Sequence, residues 1–181
     1  MRTLPLLALA LVIATTAACR SSNVKPSIPT AAPVDVDRFM GDWYVIAHIP
    51  TFIEDEAFNG VESYRLDMDG TIATTYVFNN GAFDGPLKTY RPTGFVYNRE
   101  TNAEWRMQFV WPFKAAYLIA YLDADYETTV IGVPDREYVW IMARTPQIPE
   151  ADYQRLIAEL TVQGYDLKKL RKVPQSWPEK S

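Results

Sequence analysis

The sequence holds one histidine, His48, and one cysteine, Cys19. A typical zinc site needs several His or Cys ligands, so this count excludes it. Neither a Gly-x-Ser-x-Gly nucleophile elbow nor a His-Glu-x-x-His helix occurs. Asp123 and Asp125 are close enough for paired acid–base work. They belong, however, to Asp123-Ala124-Asp125-Tyr126, a run in which aspartates typically cap and make turns. A lone His48 reads as a rim or surface residue rather than a base. No catalytic residue, metal or cofactor is expected, and the chain reads as a non-enzyme.

Cys19 carries a different chemistry. Arg2 supplies a positive start, residues 4–13 form an apolar run broken by Pro5, and Ala14, Thr15, Thr16, Ala17 and Ala18 are small. Charge, apolar core and small residues in that order make a secretory signal over 1–18. The run is shorter than the roughly 20 residues of a spanning helix. Thr16-Ala17-Ala18-Cys19 resembles the lipobox of bacterial lipoproteins, with Thr16 where that motif usually has Leu. The resemblance implies cleavage before Cys19 and acylation of its sulfur, with palmitate as a typical chain. Buried acyl CH₂ groups contribute about 0.8 kcal/mol each, so several chains anchor stably. Arg20 follows, not the Asp that retains lipoproteins in the inner membrane, which implies a lipid anchor on the periplasmic face of the outer membrane. Residues 20–33 are Ser, Pro, Thr and Ala with little bulky apolar content, so 19–33 reads as acylated cysteine plus tether.

The net charge of the chain is −4, with 18 basic residues against 22 acidic. That argues against nucleic acid, which wants a basic face, and against simple electrostatic docking on anionic lipid. From residue 34 onward the elements that must position any site are strand-like. Runs rich in Val, Ile, Thr and aromatics predict strands at 41–49, 61–67, 72–79, 88–98, 104–111, 117–123, 128–133 and 138–143. Asp69-Gly70, Asn80-Gly81 and Asp84-Gly85 punctuate them as tight turns. Eight such strands suggest an antiparallel sandwich or an up-and-down barrel. A helix follows: Pro149 and Glu150 start it, Tyr153, Leu156, Ile157 and Leu160 share one face, and Gly164 stops it. Leu167 and Leu170 open a last short strand. The domain is read as 34–173, with a loose tail at 174–181.

The strand–helix order and three motifs together resemble the lipocalin family. Gly41-Asp42-Trp43 matches the Gly-x-Trp that opens the lipocalin barrel. Asp123-Ala124-Asp125-Tyr126 resembles the second motif, and Tyr138 to Pro146, with Arg144, the third. The match covers roughly 34–171 and continues like the bacterial, outer-membrane lipoprotein branch at Val45-Ile46-Ala47, Pro50 and Phe52. It implies an all-β, eight-stranded up-and-down barrel with one helix packed outside. It also implies that Gly41, Trp43 and Arg144 are structural, Trp43 closing the narrow end and Arg144 lying across its indole, worth about 0.5–2 kcal/mol.

Strand alternation then nominates a lining. Ile72, Thr74, Tyr76 and Phe78 share a face, as do Trp105, Met107, Phe109 and Trp111, then Tyr117, Ile119 and Tyr121, then Tyr138, Trp140 and Met142. Tyr76, Phe78, Trp105, Met107, Phe109, Tyr117 and Trp140 are the expected ligand contacts. In the fourth strand either Phe95 and Tyr97 or Gly94 and Val96 face in. The second choice puts two aromatics outside, marking a homodimer or membrane contact. Residues 49–53 and Trp111-Pro112-Phe113 are read as apolar rim patches. The acids 54–56 either select against anionic headgroups or only solvate a loop. The family match implies a fatty acid or lysophospholipid ligand, held for storage, transport or envelope maintenance. An envelope scaffold and a pigment or isoprenoid carrier are the alternatives.

Overall fold

A computed structural model describes residues 27–31 and 33–178. The signal segment, Cys19 and most of the expected tether lie outside them. The strands are β1 (Gly41–Ile49), β2 (Ala57–Leu66), β3 (Thr71–Asn80), β4 (Leu87–Tyr90), β5 (Thr93–Asn98), β6 (Glu104–Val110), β7 (Phe113–Leu122), β8 (Thr128–Gly132), β9 (Val139–Ala143) and β10 (Arg171–Lys172). Counting β4 and β5 as one strand, neighbours in sequence from β1 to β9 pair antiparallel, and β9 returns to pair with β1, so the sheet closes on itself. β4 and β5 are one barrel strand interrupted at Arg91-Pro92: both pair with β3. Proline has no N–H for the ladder, but its carbonyl still accepts from the Thr74 amide at 3.2 Å. The result is the expected closed barrel of eight strands, with β10 added at the β1 edge.

Helix α2 (Glu150–Gln163) packs outside, as its single apolar stripe requires. Tyr153, Leu156 and Leu160 bury against Ile46, Ala47, Val130, Val139 and Ile141. Gly164 ends it in the left-handed region (φ 83°), its N–H reaching the Leu160 and Thr161 carbonyls. A one-turn helix α1 (Val36–Phe39), which the strand pattern does not foretell, is capped by the Asp35 carboxylate on the Arg38 amide. It drives Phe39 into the barrel end beside Trp43, Tyr64 and Trp105.

Five register slips interrupt the ladders of the described strands, and those in β1, β7 and β2 bear on the interior. In β1 the register slips between Val45 and Ala47, so Trp43, Val45 and then His48 point inward while Ala47 and Ile49 meet the helix layer. In β7 a slip between Ile119 and Tyr121 leaves Tyr117 and Ile119 inside. Tyr121, expected inside, turns out to the helix layer, where its hydroxyl accepts from Arg155. In β2 a slip between Phe58 and Val61, with Asn59 at φ 50°, opens the strand away from β1.

The chain's C-terminal residues fill that gap. β10 pairs with Ala47 and His48. Val173 N donates to Ile46 O, and Asn59 N to Pro174 O. Residues 174–178, expected to be loose, are therefore docked: the Gln175 amide donates to the Val45 and Gly60 carbonyls, and Trp177 packs edge-on against Tyr44. The bulged strands leave backbone carbonyls that need donors, and this segment supplies them. Residues 27–31, expected as the end of the tether, likewise lie on the barrel: Ile28 is buried and the Ala31 amide donates to Ile119 O.

Candidate functional site

One end of the barrel is sealed by aromatics. Phe39, Trp43 and Trp105 are fully buried there. Trp105, Tyr117 and Trp140 form a stacked column rising from the seal, with ring centroids 5.9 and 6.4 Å apart. The other end is open to a cavity of about 530 Å³. Its walls include Tyr76, Tyr90, Pro92, Phe109, Val110, Ala115, Ala116, Val133, Tyr138 and Trp140, and its mouth carries Phe52 and Ile53 of the β1–β2 loop. Such a concave, mostly apolar space is the usual form of a small-molecule site.

Two carboxylates face it. Glu54 is buried although it follows an exposed loop tip. Its Oε1 accepts from the Thr51 amide, the Thr51 hydroxyl and the Trp140 indole N–H, and its Oε2 lies 3.7 Å from His48 Nδ1. Burial alone would raise this carboxyl. The nearby His48 imidazole, with the hydrogen bonds from Thr51 and Trp140, outweighs that and holds it below its ordinary range. The Glu54 acid thus neither solvates the loop nor meets a headgroup at the rim. His48, expected at a rim or surface, is buried because the β1 bulge turns it inward.

Glu62 on β2 is the second. Its Oε2 accepts from the Tyr64 and Tyr117 hydroxyls, which also contact each other. Burial pushes its carboxyl up to about 7, the tyrosine bonds opposing and the charge of Glu54 adding. The sign follows from linkage. Between the ordinary value of 4.5 and about 7 the folded state holds a proton the unfolded state has lost, so stability falls as pH rises through that window. The loss is up to about 3 kcal/mol. Glu62→Gln is expected to abolish that slope and to raise stability at pH 8 relative to wild type. Urea melts at pH 5 and pH 8 measure it, and a variant with the wild-type pH dependence refutes it.

Residues 34–175 match the family model of the lipocalin-like domain. The chain is a lipocalin. It is 32% identical to temperature-induced lipocalin-1 of Arabidopsis thaliana, over 84% of this chain and 85% of that one. It is 30% identical to the outer membrane lipoprotein Blc of Escherichia coli K12, over 97% and 98%. Among solved structures the fold is shared with the cockroach allergen Per a 4 (TM-score 0.63, 18% identity, 85% and 97% coverage). Lobster apocrustacyanin A1 shares it too (TM-score 0.63, 13% identity, 87% and 94% coverage). Lipocalins are generally carriers of hydrophobic ligands rather than enzymes. No described helix is long and apolar enough to cross a membrane.

The structure distributes the expected contacts of this lipocalin over two levels. Tyr76, Phe109 and Trp140 line the cavity. Phe78 is buried beside it, packed on Tyr76 and Tyr90. Trp105, Met107 and Tyr117 are buried in the barrel interior, Trp105 and Tyr117 as part of the column. Gly94 and Val96 face in, the glycine against Ile72 and Met107. Phe95 and Tyr97 face out, under Lys114 and Arg106 respectively. Trp111 and Phe113 are exposed at the β6–β7 turn, so Trp111 is not lining. Asp123 accepts from the Asp125, Glu127 and Thr128 amides and the Thr128 hydroxyl, a turn-capping role. Sequence reasoning missed Glu54, Glu62 and His48 as interior groups, and the small Ala115 and Ala116 that leave the cavity its width.

Proposed function

We propose that this lipocalin is a lipid-anchored carrier on the periplasmic face of the outer membrane. It holds the acyl chain of a fatty acid or lysophospholipid in the barrel and catalyses no reaction. The observation that carries the reading is the cavity: about 530 Å³, aromatic and aliphatic in lining, and open at one end. Thr16-Ala17-Ala18-Cys19 supports the anchor, as does the likeness to an outer membrane lipoprotein. Tyr76, Phe109 and Trp140 are assigned as direct contacts, with Phe78, Trp105, Met107 and Tyr117 as the packing beneath them.

Mass spectrometry of the chain purified from membranes tests both parts. The expected spectrum shows a covalent acyl mass on an N-terminal Cys19, and solvent extraction releases a non-covalent acyl lipid. An unacylated Cys19 overturns the anchor. A pigment or isoprenoid in the extract overturns the acyl ligand. A barrel that comes out empty and takes up no lipid afterwards favours an envelope scaffold.

A further inference from the structure

We propose that the cavity floor is a subsite for a hydroxyl at the end of an apolar chain, bound head-down between Glu62 and Tyr76. The inference rests on the reading of the cavity as a lipid site and specifies the head that site takes. Two unfilled polar atoms carry it. Tyr76 lines the cavity, and its buried hydroxyl has no partner within hydrogen-bond distance, although the Glu54 carboxylate is near enough to act on it. The hydroxyl points toward Gly60, where an added Cβ would stand 3.2 Å from it and 3.4 Å from Val45 Cβ. Glu62 is the cross-strand neighbour of Tyr76. Its Oε2 accepts both tyrosine hydroxyls, and its Oε1 accepts none.

A ligand hydroxyl has one donor and two lone pairs. It can donate to Glu62 Oε1 and accept from Tyr76 Oη, so one head satisfies both. A methyl terminus satisfies neither and leaves both atoms desolvated beneath it. A carboxylate only accepts, and at the floor it meets Glu62 with Glu54 close by. The cation of the lining, Arg91, lies in the β4–β5 interruption with its side chain exposed, so a carboxylate finds no buried cation at the floor. The groups facing Glu62 are Tyr64 on β2, Tyr76 on β3, Tyr117 on β7 and Glu54 of the β1–β2 loop. None is a cation. The elevated Glu62 carboxyl is consistent with this surrounding and makes acceptance at Oε1 strongest above pH 7.

The test uses the full chain, delipidated and kept in digitonin, which has no alkyl chain to compete. Displacement of bound N-phenyl-naphthylamine is measured at pH 8 with dodecanol, its methyl ether and dodecanoate. Dodecanol is expected to bind about tenfold tighter than the ether, in which a methyl replaces the donor hydrogen. Glu62→Gln is expected to reduce that advantage to about twofold or less. Tyr76→Phe removes only an unpartnered hydroxyl and should also reduce it, which keeps the test open if Glu62→Gln disturbs the tyrosine pair. Equal affinities for alcohol and ether in wild type, or an advantage that survives both variants, overturn the subsite while leaving lipid binding intact. Failure of every amphiphile to displace the probe overturns the lipid reading together with it.

Discussion

Trp43→Ala is expected to destabilise the protein by about 3–5 kcal/mol. For a domain of this size that lowers the melting temperature by about 10 °C. Trp43 is fully buried, and its indole N–H donates to Phe39 O at 2.9 Å. The Phe39 ring is 4.9 Å away on one side. The guanidinium of Arg144 lies 3.8 Å from the indole centroid. Arg144 does more than cover the ring: it donates to the carbonyls of Arg38, Phe39, Asp42 and Tyr126. It thereby ties α1, the start of β1 and the β7–β8 turn to the end of β9. Gly41 permits this, since its φ of 96° suits glycine and a Cβ there would stand 3.4 Å from Arg144 Nη1. Arg144→Lys should therefore also destabilise, because one ammonium cannot reach four carbonyls in a planar fork. Trp43 does not line the cavity, so the folded fraction of Trp43→Ala should still bind an apolar probe. Urea denaturation decides the matter, and an unchanged midpoint refutes the structural role.

The architecture was legible because it is written in periods and punctuation. Alternation in β3 puts Ile72, Thr74, Tyr76 and Phe78 inside as read, and the stripe of α2 meets the barrel as read. The interior polar groups were illegible for one recurring reason. Inferring a face from alternation assumes an unbroken ladder, and a single bulge reverses the parity of every residue beyond it. Strict alternation from Trp43 sends His48 outside, and the slip after Val45 brings it in. The slip after Ile119 sends Tyr121 out. Glu62 was hidden differently. Its place between Gly60 and Tyr64 on the inner face of β2 breaks the apolar pattern by which an inner face is recognised. Glu54 lies in no element, and only the fold of the loop shows that its side chain turns inward. The docked tail escaped notice because Pro, Gln and Ser signal a loop. Its order comes from partners more than a hundred residues away.

Glu54→Ala is expected to cost about 3–5 kcal/mol and to speed ligand release. The carboxylate is the link between the β1–β2 loop and the barrel. It caps the loop at the Thr51 amide and hydroxyl, and it receives the Trp140 indole N–H from β9. Alanine leaves those donors unpartnered in a buried place and takes the carboxylate away from His48, and each stranded donor costs about 1–3 kcal/mol. Phe52 and Ile53 at the cavity mouth ride on the same loop, so loosening it widens the exit, and ligand should dissociate faster while still binding. Glu54→Gln keeps one acceptor oxygen for the indole but sets an amide N–H₂ against the Thr51 donors, so its loss should be intermediate. The pH dependence separates this acid from Glu62. A carboxyl held below 4.5 stabilises the fold above that value and ceases to do so as pH falls through its folded value. The difference between wild type and Glu54→Ala should therefore narrow in acid and widen toward neutrality, opposite in window to the Glu62 effect. Melts from pH 3 to pH 7, with stopped-flow release of a bound fluorophore, test both parts. A difference between the two proteins that stays constant across that range removes the Glu54 carboxylate as the latch of the loop.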